Sequence, residues 1–296
     1  VHAAGHARGV SGHALTVTVS GLLGGHSGAE IDKGRGNANQ LLGRVLYAVG
    51  ARTALRVVCV DGGLKDNAIP RESRAVITVA DSDAAQAAIA DMDAALRHEY
   101  AAADPDVFVR AEPVQPQMPP MDAASTQRAV CMLCCLPNGI QAMSQDIPGL
   151  VETSTNLASV KMKPGNIIRI ETSQRSSIES SKQDIATMVR TVFEMAGASV
   201  SFGDGYPGWK PNPHSEILEI AAESYKRLFG VDTKIKAIHA GLECGLFLDK
   251  YPSLDMISFG PTLQGVHSPD ERMLIPTVQK FWDHLLDILK HIPAKN

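Results

Sequence analysis

Leu15-Thr16-Val17-Thr18-Val19-Ser20 alternates apolar and hydroxyl-bearing side chains residue by residue. A period of two puts Leu15, Val17 and Val19 on one face of an extended chain and the hydroxyls on the other, the pattern of a half-buried strand. Gly21 to Gly28 interrupts it. Leu41, Leu42, Val45 and Leu46 then recur at helical spacing within 37–49, with Asn37 ahead of them as a natural N-cap. Strands follow at 55–60 and 75–79, separated by the turn Asp61-Gly62-Gly63 and a loop running to Pro70. An Ala-rich helix at 84–100 and a strand at 107–110 complete the series. The order β-α-β-β-α-β is that of a ferredoxin-like α+β unit, a sheet covered on one face by helices.

Four prolines fall between Glu112 and Pro120, which ends regular structure and marks a linker or an inserted element. A helix at 125–136, strands near 150–161 and 167–172 and a helix at 180–196 continue the sheet. The Gly/Pro-rich stretch from Gly203 to Pro213 sets a domain boundary. The organisation read here is a residual N-terminal segment at 1–12, a first domain at 13–202 and a second at 203–296. The second reads as α/β: a helix at 215–229, a strand at 234–238, a turn at 240–246, a strand at 255–259 and a loop at 260–271. A final helix follows, on which Val278, Phe281, Trp282, Leu285, Ile288 and Leu289 form an apolar stripe that must pack against something. With so few strands, this domain reads as incomplete on its own.

The chain has 296 residues, 44% of them hydrophobic, enough for about two domains with cores of their own. Its 28 basic and 32 acidic residues give a formal net charge of −4, which supplies no bulk attraction to nucleic acid or an anionic membrane. No apolar run approaches the roughly 20 residues of a membrane span. Residues 1–6 lack the charged-then-apolar pattern of a signal peptide, and the missing initiator Met is what a lost N-terminus would leave. Five cysteines, Cys59, Cys131, Cys134, Cys135 and Cys244, read as free thiols of a reducing compartment, so the cytoplasm is the expected location. Cys131 to Cys135 holds a C-x-x-C, but no second pair or H-x-x-x-H follows at finger spacing, and buried thiols on a helix are expected.

Three loops carry residues suited to chemistry. Gly24-Gly25-His26-Ser27-Gly28 lies between strand and helix, where glycines let an imidazole be held exposed at a strand end. A tight turn with a solvated His explains it equally well. His239-Ala240-Gly241-Leu242-Glu243-Cys244-Gly245 puts an acid between two glycines directly after an expected strand, where open α/β sheets place ligands; an acid at a helix N-terminus would also account for Glu243. His267-Ser268-Pro269-Asp270-Glu271 leaves a His on a loop near the final helix, in reach of a metal. One His is a weak signal, because a zinc site needs three or four protein ligands.

Taken in order, Gly24–Gly28 with Gly36-Asn37-Ala38, Gly63-Leu64-Lys65-Asp66-Asn67-Ala68-Ile69-Pro70, Ser173-Gln174-Arg175-Ser176-Ser177, 239–247 and His267–Glu271 closely resemble the aminoacyl-histidine dipeptidases. These are zinc metallopeptidases of the carboxypeptidase-G2-like, carnosinase-related clan. The resemblance runs along essentially the whole chain. It implies a catalytic α/β domain with two zinc ions (cobalt or manganese being other divalent choices), interrupted by a ferredoxin-like lid that also carries a homodimer contact. Dipeptides, Xaa-His and broader, are the implied substrates.

Residue by residue, His267 matches the last zinc ligand and His26 the lid histidine that stabilises the oxyanion of the tetrahedral intermediate, in its own subunit or a neighbour's. Asn67 matches the lid asparagine. Arg175 matches the arginine that holds the substrate's terminal carboxylate, a role suited to its planar fork. Glu243 lies beside the site, where it could face the substrate's α-ammonium. The family's His-x-Asp, bridging aspartate and Glu-Glu pair lie upstream of the lid and have no counterpart here, so the chain reads as the lid plus the C-terminal part of the catalytic domain, weak or inactive by itself. Two other readings stand beside this one: a non-catalytic dimerisation or binding module, and a clan-related N-acyl amino acid deacylase. The insertion around 119–166 and Gly241-Leu242-Glu243-Cys244-Gly245 favour the dipeptidase over the deacylase.

Overall fold

The structure is a computed structural model describing residues 12–203, 205, 207–209, 212, 214–235, 243–264 and 271–294. The first unit, up to residue 203, runs β1 (His13–Ser20), β2 (Gly25–His26), α1 (Ala38–Arg52), β3 (Leu55–Gly62), β4 (Ala68–Ile69), β5 (Ser73–Val79), α2 (Ser82–Glu99), β6 (Phe108–Pro113), α3 (Ala123–Cys135), β7 (Gly139–Met143), β8 (Val151–Lys163), β9 (Ile167–Ser176) and α4 (Glu179–Met195). Residues 205–235, 243–264 and 271–294 belong to a second unit: α5 (Glu216–Phe229), α6 (Glu243–Lys250), β10 (Leu263–Gln264), β11 (Arg272–Met273) and α7 (Pro276–His291).

In the first unit, one antiparallel sheet has the order β6-β1-β5-β3-β8-β7, with β9 also paired to β8. The first four strands in that order are the ferredoxin-like arrangement. Alternation in β1 works as expected: Leu15, Val17 and Val19 are at most 2% exposed, while Thr16, Thr18 and Ser20 stay half-buried. Opposite them α1 buries Leu41, Leu42, Val45, Leu46 and Val49. Each of these side chains contributes about 1.5–3 kcal/mol by leaving water. Capping fixes where the helices start. The Asn37 side chain accepts from the Asn39 and Gln40 amides, Asp81 from Ala84 and Asp122 from Ser125.

Beyond the four-strand unit, β8 joins β3 through two residue pairs, Asp61–Lys161 and Gly62–Val160, and an ion pair of 2.8 Å between the Asp61 and Lys161 side chains. The proline-rich stretch begins later than expected, because β6 continues through Pro113 opposite Leu15. Position 113 lies on the outermost strand of the sheet, where a missing N–H is tolerated. Strand β7 has no expected counterpart, since Gly139 to Met143 is short and lacks alternation.

The second unit differs more from expectation. Residues 255–259 form no regular structure, and of the strand expected at 234–238 only Lys234 and Ile235 are described, without regular structure. The turn expected at 240–246 is already α6 from Glu243 onward. Helix α7 forms as the stripe predicts, yet only part of it is covered: Ile288 is 3% exposed, whereas Trp282 is 52% and Leu289 57%. A cluster of rings joins the helices. The His284 ring lies 5.3 Å from Tyr225 and 5.2 Å from Phe259, and its Nε2 is 2.8 Å from the Ala221 carbonyl.

The helix carrying three cysteines is present, but its buried face is Ala129, Val130, Met132 and Leu133. The thiols flank that face: Cys131 and Cys134 are half-buried and Cys135 is exposed, which corrects the expectation of buried thiols. Burial, followed by the neighbouring Cys135 and Cys131, pushes the Cys134 thiol up to about 11. At pH 8 only roughly a thousandth of it is thiolate, the reactive form. Iodoacetamide at pH 8 should therefore alkylate Cys135 well before Cys134, as peptide mass spectrometry will show. Equal labelling rates would contradict this packing of α3.

Candidate functional site

The segment 23–36 leaves β1 and returns to α1, with its two ends held by one carboxylate. Asp104, fully buried, accepts from the Leu23 amide through one oxygen and the Gly36 amide through the other, both at 2.7 Å. Within the segment, Glu30 accepts from the His26 amide at 2.9 Å and pairs with Arg35 at 3.0 Å, and Arg35 also donates to the Gly24 carbonyl. Gly25 is required here. Its φ is +138°, and a Cβ would stand 2.6 Å from Arg35 Nη1 and 2.7 Å from Glu30 Oε2.

This framework sets the His26 ring. Nδ1 accepts from the amides of Gly28 and Ala29, each at 3.1 Å. Accepting there puts the proton of the neutral imidazole on Nε2, which makes Nε2 a donor. The expected glycine turn is therefore real, and the ring in it has a defined tautomer.

Asn67 is brought to the same place. Strands β2 and β4 pair antiparallel with His26 opposite Ala68, and the Ser27 amide donates to the Asn67 carbonyl at 2.8 Å. Arg175 lies on β9 opposite Ser154 of β8. Burial lowers its pKa, and the nearby Asp66 carboxylate opposes that shift. Its Nε is buried and has no hydrogen-bond partner among the described residues. A buried guanidinium N–H left unpaired is costly unless an acceptor arrives from outside. The Ser27 hydroxyl, 1% exposed, is likewise unpaired among them.

Glu243 is exposed in the first turn of α6, where its charge complements the helix dipole. His267 lies outside the described residues. Among those described, no group of three or more His, Cys, Asp or Glu side chains could hold a metal ion. The expected zinc pair therefore finds no donor set among them. The Asp104 strap is invisible in the sequence, since an acid after an Ala-rich helix carries no local signal of what it binds 68 and 81 residues away.

Residues 17–104 match the family described as a peptidase dimerisation domain. That stretch runs from β1 through α2 to the Asp104 strap. Over 281 residues, 94% of the chain, it is 39% identical to the cytosol non-specific dipeptidase of Escherichia coli K12, of which it spans 58%. The crystal structure of the aminoacylhistidine dipeptidase from Vibrio alginolyticus matches 98% of the chain with a TM-score of 0.86 and 38% identity, over 59% of its own length. The resemblance read from the loops is thereby borne out in sequence and in fold, and these relatives are dipeptidases. The chain spans less than two thirds of either.

The strap has a measurable consequence. Asp104→Ala would leave two backbone N–H groups without an acceptor and should lower stability by about 2–6 kcal/mol, from roughly 1–3 kcal/mol for each donor left unsatisfied. Denaturant unfolding of the two proteins measures it; a loss below about 1 kcal/mol would show that water replaces the carboxylate.

Proposed function

We propose that this chain is the lid and C-terminal catalytic part of a cytoplasmic dipeptidase whose remaining part lies upstream. The observation that supports it most is the half-buried Arg175 guanidinium, with its unpaired Nε, in the same unit as the His26–Asn67 pair. A planar fork of donors fits a carboxylate in bidentate fashion, and a dipeptide ends in one. Arg175 grips that terminus and Asn67 contacts the bound peptide. His26 Nε2–H donates to the scissile carbonyl oxygen as charge grows on it, an interaction stronger in the transition state than before it.

In the complete protein His267 would be one ligand of the divalent metal, two zinc ions, which would supply an activated water when bound. Among the described residues, gripping the carboxylate and stabilising the oxyanion are what the side chains of Arg175 and His26 contribute. The match to a peptidase dimerisation domain supports a homodimer formed through the lid. It also favours a second reading, in which this chain by itself is an association module without activity. Zinc content and Xaa-His hydrolysis, measured on this chain and on the longer protein, separate the two: activity confined to the longer protein fits the first reading, and none in either leaves the second.

In the longer protein, His26→Ala should lower turnover by roughly 10²–10³ with zinc content unchanged. Normal turnover in that variant removes His26 from the mechanism. Arg175→Lys should mainly raise KM for dipeptides with a free C-terminus, since a point charge replaces a fork. C-terminally amidated dipeptides should feel the change far less; equal effects on both would refute the carboxylate role.

A further inference from the structure

Strand β8 is buried on both faces, yet it carries Thr153, Ser154, Thr155 and Asn156 in succession, each at most 3% exposed. Asn156 uses its whole amide. Its Nδ2 donates to the carbonyls of Asp66 at 3.3 Å and Ala68 at 2.8 Å, the residues on either side of Asn67. Its Oδ1 accepts from Asn37, the N-cap of α1, at 3.2 Å. Asn37 also donates to the Leu157 carbonyl at 3.0 Å and to Asn138, which in turn accepts from the Leu157 amide at 3.0 Å.

The register places this amide beside Arg175. Asn156 pairs with Ser173 and Ser154 with Arg175, so Asn156 and Arg175 are diagonal neighbours on one face of the β8–β9 ladder. The loop held by Asn156 is in turn bonded to the His26 turn through Ser27 and Asn67. One buried side chain therefore connects the strand pair bearing the guanidinium to the turn bearing the imidazole.

We propose that Asn156 is a positioning residue that sets the distance between the Arg175 anchor and the His26–Asn67 pair. This rests on the dipeptidase reading. A substrate gripped at its carboxylate by Arg175 presents its carbonyl to His26 Nε2 only while Asn156 holds the 66–68 loop in register. A main-chain clamp suits that role, because carbonyls of the loop are gripped whatever side chains it carries.

Asn156→Asp keeps the size of the side chain but removes both donors and sets a carboxylate against two carbonyls. Hydrogen exchange on this chain reads the clamp directly. The Ser27 and Ala68 amides should exchange at least about tenfold faster in the variant, while Val17 and Ile77 in the central sheet stay unchanged. Unaltered exchange at Ser27 and Ala68, or equal acceleration at all four, overturns the proposal. In the longer protein, kcat should fall with KM little changed, and adding His26→Ala to Asn156→Asp should cost less than about tenfold, against roughly 10²–10³ in the unsubstituted protein. Additive costs would overturn the positioning role. If the unsubstituted longer protein hydrolyses no dipeptide, the dipeptidase reading falls, while the exchange result still decides whether Asn156 is the clamp.

Discussion

A strand enclosed on both faces can carry hydroxyls and amides only if each finds a partner, and the middle of β8 is governed by that requirement. Thr153 bonds the Ser176 hydroxyl at 2.9 Å, Thr155 accepts from Gln174 at 3.1 Å, and Asn156 spends its amide on the 66–68 loop and on Asn37. An apolar strand would stack on the helices more simply and would specify less. Polar groups in a low-dielectric interior admit few arrangements, because any slip leaves them unsatisfied. By this means the four-strand unit, its β8 extension and the loops between them are fixed in one mutual register.

The ferredoxin-like unit is legible in the sequence because its signals are local. Alternation in β1, helical spacing in α1 and the Asn37 cap are each set by neighbours within a few residues, and the sheet then takes an order that buries all of those faces together. The second unit is less legible for the same reason. A stretch such as 255–259, short and only partly apolar, takes strand form only where a partner edge receives it, and no such pairing occurs among the described residues.

For the candidate site the division is sharper. The glycine loop and its His announce themselves, and the chain order of the loops suggests which side chains act together. What holds them does not. Asp104, Asn156 and the Glu30–Arg35 pair work through backbone amides and carbonyls, whose positions depend on tertiary structure alone. Polar residues with such duties look in sequence like any solvated Asp, Asn or Glu, and their burial is the first sign that they matter.

The knot at the neck of the 23–36 segment consists of a buried carboxylate and two amides that every residue type except proline can offer. The knot itself is thus indifferent to the side chains between those two ends, while Gly25 and the Glu30–Arg35 pair shape the turn it closes. Selection can alter what the turn presents, exchanging one chemistry or preference for another, without untying the frame that presents it.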